Sequence, residues 1–205
     1  MQKRMIGPIG AFDKNGVFGI GPHLPWGNEK GGSAIKLDMG RVVEVTRNTT
    51  LAEGKQNVLV MGRGTIESMR WRALPGRRTI ILSQTLKERE VNADRPEGKT
   101  VAIALNASQA VTRALEYDDC GHIFFFGGES VWLEALKSNI CNAAFITVVN
   151  CDSVPMSMHK EGAIRRLPEM LLDSTFTDMN CERIPVEDVW GNVPVELEFR
   201  NYMKP

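Results

Sequence analysis

Asp38 stands where helical spacing also sets Met39, Val42 and Val43 on one face, so its carboxylate is expected against apolar surface rather than in water. Burial would raise its proton affinity and would be costly without a donor-rich or cationic ligand, which is the situation of an acid used in proton chemistry. The same residues also fit an acid in the first turn of a helix, held there by the macrodipole. Two glycine segments have the chemistry of phosphate binding. In Met61-Gly62-Arg63-Gly64-Thr65 an apolar run turns through glycine into a helix start, with backbone N–H groups, a hydroxyl and the Arg63 fork. In Phe126-Gly127-Gly128-Glu129-Ser130 two glycines permit close approach of a ligand. A helix cap with exposed Arg63 and a plain tight turn are the alternatives, but two such junctions in one small chain fit a pyrophosphate. No G-x-G-x-x-G is present.

Other segments offer weaker signals. Leu74-Pro75-Gly76-Arg77-Arg78 is a rigid turn presenting two guanidiniums, suited to capture of a carboxylate or simply solvated. Ile81-Leu82-Ser83-Gln84 leaves polar groups at a strand tip that could meet an adenosine, though a turn serves equally. The glycines and apolar residues from Asn15 to Trp26 make a mobile lid over a flat ring, with His23 at the surface.

These groups need a scaffold. Buried strands are expected over 5–12, 57–61, 78–82, 122–126 and 143–150, with helices over 65–69, 108–117 and 130–137. That alternation predicts an α/β fold in a single domain spanning the 205 residues: a mostly parallel twisted central sheet with an antiparallel C-terminal edge over 195–202, flanked by helices. Ligands then lie at the carboxyl ends of the strands. Segments 27–36 and 48–56 are expected as surface loops, and 151–194 shows no sustained period and stands as a divergent or irregular segment.

Composition narrows the classes. Lys and Arg (25) balance Asp and Glu (25), so no positive field favours nucleic acid. No run of apolar residues is long enough to span a membrane. Cys120, Cys141, Cys151 and Cys181 have no metal or disulfide spacing, which fits reduced thiols in the cytoplasm. His23, His122 and His159 are too dispersed for a metal site, and no Ser-His-Asp arrangement stands out.

Gly19-Ile20 followed by Leu24-Pro25-Trp26, then Val60-Met61-Gly62-Arg63-Gly64-Thr65, Leu74-Pro75-Gly76-Arg77 and Gly127-Gly128, resemble in this order the dihydrofolate reductase family. The resemblance runs over 9–148, with a weaker echo in Leu197-Glu198-Phe199-Arg200-Asn201-Tyr202. It implies NADPH-dependent reduction of dihydrofolate to tetrahydrofolate, with hydride to C6 and a proton to N5, and sensitivity to antifolates. It implies Asp38 as the catalytic carboxylate, with Thr147 in its hydrogen-bond network and Trp26 nearby. Substrate contacts would come from Ile9, Gly10, Ala11, Met39, Val42, Ser68, Met69, Phe126 and Arg77, the last on the carboxylate of the glutamate tail. Ala11, Gly19 and Ile20 would meet the nicotinamide. Gly62, Arg63, Gly64, Thr65, Gly127, Gly128, Glu129, Ser130 and Val131 would surround phosphates, and Leu82, Ser83 and Gln84 with Arg63 the adenosine end and its 2′-phosphate.

The chain departs from the family pattern in four places. Segment 27–36 is an insertion whose Glu29 is a rival acid. Val42 stands where a phenylalanine packs on the substrate ring, and Glu129 follows Gly128 where a small residue is frequent. Segment 151–194 does not align. A riboflavin-pathway pyrimidine reductase of the same fold and a non-catalytic folate or nucleotide-binding module are the competing readings. Whether the chain acts alone or joined to thymidylate synthase, as in some members of the family, stays open.

Overall fold

A computed structural model describes residues 3–20, 33–48, 51, 53–93, 101–150, 164–166, 176–190 and 193–205. They fall into two compact units, Met1–Ile9 with Val43–Asn142, and Gly10–Val42 with Ala143–Pro205. The class is the expected one, α/β, with eight strands hydrogen-bonded in a mostly parallel sheet that ends in antiparallel strands.

The first unit holds β3 (Gln56–Gly62), β4 (Arg77–Leu82), β5 (Ala102–Ala104), β6 (Cys120–Gly127) and the start of β1 (Ile6–Asp13). All its pairings, β4 with β5, β3 with β4, β3 with β6 and β1 with β6, are parallel. The central parts of β3 and β6 are apolar and buried, as expected of strands covered on both faces: Val58, Leu59, Val60, Met61, Ile123, Phe124 and Phe125 are all fully buried. Helices α2 (Arg63–Ser68), α3 (Glu88–Val91) and α4 (Ala107–Leu115) connect successive strands from β3 to β6, and α5 (Glu129–Lys137) follows β6. The short β5 and α3 have no counterpart among the sequence expectations, because three and four residues are too few to show a period.

The second unit contains β7 (Ala143–Val149), β9 (Thr177–Trp190) and β10 (Val193–Met203), with β10 antiparallel to both neighbours. Val149, Val186, Val195, Leu197 and Phe199 form its core. The described parts of 151–194 are therefore largely strand, correcting the irregular reading. The pattern was hidden because Thr177 to Arg183 are exposed, so neither face of that stretch carries an apolar alternation. Val17–Ile20, expected within a mobile lid, is instead strand β2, antiparallel to β8 (Ile164–Arg166). The side chain of Arg165 lies over the Phe18 ring at 5.2 Å and close against Gly19.

Helix α1 (Ser33–Arg47) begins inside the segment expected as loop. Asp38 thus lies beyond the first turn, where no acid is found, and the macrodipole reading falls. Its buried face is also not the expected one: Asp38, Arg41, Val42 and Thr46 are buried, whereas Met39 and Val43 are 45% and 39% exposed. Polar side chains, rather than a hydrophobic stripe, set which face turns inward.

Candidate functional site

In the first unit, parallel pairing of Met61 with Gly127 brings the ends of β3 and β6 side by side. The two glycine junctions found in the sequence are therefore neighbours. Gly62 caps α2 and Gly128 caps α5, and neither helix start is closed by a side-chain hydrogen bond, which leaves first-turn N–H groups for an anion. The packing leaves little room for side chains here. A Cβ on Gly62 would come 3.2 Å from Val131 Cγ2, and one on Gly127, whose φ is 124°, would come 3.3 Å from Trp132. Trp132 is itself held by its indole N–H on the Phe125 carbonyl at 2.8 Å. The Gly127–Gly128 peptide is cis. A Cβ on Gly64 would meet nothing within 4 Å, so space for a ligand exists at that end of the cradle. The Thr65 hydroxyl oxygen is 3.9 Å from where a Cβ on Gly127 or Gly128 would sit.

The peripheral members of this set are placed less tightly. Arg63 is exposed and paired with Glu67 at 2.7 Å one turn on. Ser83 Oγ accepts from the N–H groups of Thr85 and Leu86, a turn at the tip of β4, and Gln84 is exposed. Leu82 is half-buried, Glu129 half-buried, Ser130 exposed and Val131 buried.

The two arginines of the proline turn separate in role. They begin β4 rather than the turn, so the pleat sends them to opposite sides. Arg78 makes a bidentate pair with Asp119, both bonds at 2.9 Å, over the Tyr117 ring. Arg77 is 8% exposed; its Nη1 donates to Thr46 Oγ1 at 2.7 Å and its Nε to the Pro75 carbonyl at 3.2 Å. No described carboxylate pairs with it. Burial and the nearby Arg47 guanidinium both weaken its hold on the proton. A buried cation with no anionic partner among the described residues is suited to receive an anionic group. Ser68, exposed, is turned back onto the Thr65 carbonyl, and Met69, half-buried, closes the same helix.

In the second unit, Asp38 meets Thr147, brought to it by β7. Asp38 is 9% and Thr147 1% exposed. Burial raises the Asp38 carboxyl above its ordinary value of 3.8, against the Thr147 hydrogen bond and the Arg41 charge, which lower it. Among the described residues Asp38 Oδ1 is buried without a hydrogen-bond partner. Leaving such an atom unmet costs about 1–3 kcal/mol, so it is a place where a donor is wanted. Ile9, in the first unit, is buried on β1, while Gly10 and Ala11, in the second, are half-buried on the same strand. Ile20, Phe126 and Val42 are half-buried, half-buried and buried in turn, and Met39 is exposed. Trp26, Leu24, Pro25, His23, Glu29, Cys151 and His159 lie outside the described residues.

Arg41 was missed in the sequence. It is buried at 9% and donates to Thr147 Oγ1 at 2.9 Å. A cation three residues after a candidate acid on one helix was the available signal.

The sequence model of the family described as dihydrofolate reductase matches residues 5–156. A Drosophila melanogaster dihydrofolate reductase is 33% identical over 71% of this chain and 75% of its own length. One from Aedes albopictus is 25% identical over 96% and 95%. Among solved structures, Enterococcus faecalis dihydrofolate reductase complexed with NADP(H) and RAB-propyl superposes with a TM-score of 0.64 at 22% identity, covering 98% of this chain and 96% of that one. This last likeness speaks for the fold.

Proposed function

Because this chain belongs to the dihydrofolate reductase family, we propose that it reduces dihydrofolate to tetrahydrofolate with NADPH. The observation that carries the reading is Asp38: a carboxylate 9% exposed, hydrogen-bonded by Thr147, with Oδ1 lacking any partner among the described residues. A pterin presents an amino group and a ring nitrogen along one edge, and such an edge supplies the missing donors. Binding there retains a negative charge beside the ring, which favours protonation of the pterin at N5 as hydride reaches C6. NADPH supplies the hydride.

The other residues bind and orient. Backbone N–H groups at Gly62–Thr65 and at Gly128–Ser130 would hold the pyrophosphate, and the open space at Gly64 admits it. Arg77, fixed by Thr46, would take the carboxylate of the substrate's tail. Val42, smaller than the phenylalanine expected there, would leave more room beside the ring. Ser83, Gln84 and Arg63 stand for the 2′-phosphate.

The test is loss of NADPH absorbance with and without dihydrofolate, for the native chain beside Asp38→Asn. Dihydrofolate-dependent oxidation that drops on the order of 10²–10³-fold in the variant is the expected result. Oxidation that survives the substitution would remove Asp38 from the role and point to Glu29. No oxidation in either would leave a binding module or a reductase of another pyrimidine.

A further inference from the structure

Arg41 is a cation buried inside the second unit, and three hydrogen bonds hold the two Nη groups of its fork. Nη1 donates to Thr147 Oγ1 at 2.9 Å, and Nη2 to Asn201 Oδ1 at 2.7 Å and to the Arg200 carbonyl at 3.3 Å. The guanidinium carbon lies 4.5 Å from the centroid of Phe199. Three positions in a row on β10 therefore clamp one side chain of α1, and the fork has a fixed direction. The consequence falls on Thr147. A hydroxyl has a single proton, and with an arginine N–H directed at its oxygen that proton is left for Asp38. Thr147 is thereby a committed donor, and the two oxygens of Asp38 become unequal: one is held within the protein, and Oδ1 is left without a partner among the described residues.

We infer that Arg41 is a positioning residue for the reduction: acting through Thr147, it decides which oxygen of Asp38 is given to the pterin. The inference rests on the proposed function for its chemistry. The other charged groups on the neighbouring strand are engaged with one another, Glu198 with Arg200 and with Arg183. Among the described residues Arg41 is the one whose charge acts on Asp38. A filler role would be met by any large side chain; the proposed role needs a cation and a donor.

The experiment follows the Asp38 carboxyl directly, by NMR of the full chain made with carboxyl-labelled aspartate, Asp38→Asn identifying the signal. Native chain, Arg41→Met and Arg41→Lys are titrated side by side, and kcat/KM for dihydrofolate is measured against pH in each. Arg41→Met is expected to move the Asp38 midpoint to higher pH and to lower kcat/KM at neutral pH roughly tenfold, with the NADPH dissociation constant unchanged. Arg41→Lys, which keeps the charge, is expected to return the midpoint toward the native one. An unchanged midpoint in Arg41→Met, with only a lower Tm, would overturn the inference. Should Arg41→Met fail to fold, Asn201→Ala, which removes the shorter of the two bonds that hold Nη2, takes its place: a shifted midpoint supports the inference and an unshifted one overturns it. If the native chain does not turn over dihydrofolate, the proposed function fails, and the titration still decides the coupling of Arg41 to Asp38.

Discussion

Arg77 Nη1 donates to Thr46 Oγ1 at 2.7 Å, which fixes a buried guanidinium on a neutral partner and leaves its charge unmatched among the described residues. A substrate carboxylate would supply the match. Arg77→Met is expected to raise KM for dihydrofolate roughly 50-fold, the equivalent of about 2–3 kcal/mol for a charge-assisted pair, with kcat little changed. Steady-state kinetics check this, and a pterin substrate lacking the glutamate tail should show no difference between the two proteins.

Arg78 serves as the contrast. Its carboxylate is already present in Asp119, and both partners are partly exposed, 37% and 27%. Arg78→Met is expected to cost about 0.5–1 kcal/mol of stability in a denaturant titration and to leave KM for dihydrofolate unaltered.

Asp38 burdens the fold in a pH-dependent way. Below its ordinary value of 3.8 the carboxyl is protonated in folded and unfolded chains alike, and nothing is lost. As pH rises through the raised value of the folded state, the unfolded chain ionises freely while the folded one must ionise a buried group, so stability is lost and stays lost above it. Asp38→Asn is therefore expected to match the native Tm at about pH 3 and to exceed it at about pH 8, while activity collapses. Calorimetry at the two pH values tests both halves.

The glycines of the cradle separate folding from binding. Gly127→Ala forces a side chain into a backbone with φ of 124° and is expected to cost about 1–3 kcal/mol. Gly64→Ala meets no atom and lies within α2, so it should raise stability by about 0.5–1 kcal/mol. If that open space receives the cofactor, the same substitution weakens NADPH binding by roughly tenfold in a fluorescence titration. Unchanged affinity would place the pyrophosphate elsewhere.

Much was legible without coordinates where a local rule sufficed. The apolar runs at Val58 to Met61 and Ile123 to Phe125 announce strands buried on both faces, and the glycines that follow mark their ends. Short or edge elements were not legible: β2 and β8 are too brief for a period, and β9 is exposed over much of its length. The burial of Asp38 was anticipated for the wrong reason, since Met39 and Val43 face outward and the acid is kept company by Arg41 and Thr147.

Alone, the sequence determined the α/β class, the two glycine junctions and a set of candidate groups, because periodicity and turn chemistry act over a few neighbouring residues. Only the tertiary structure decided which of them meet. Parallel register puts Met61 beside Gly127, Thr147 reaches Asp38 across more than a hundred residues of chain, and the start of β4 sends Arg77 to Thr46 and Arg78 to Asp119. Such pairings follow from long-range register and from the need to satisfy buried polar atoms, and neither is written in the spacing of near neighbours.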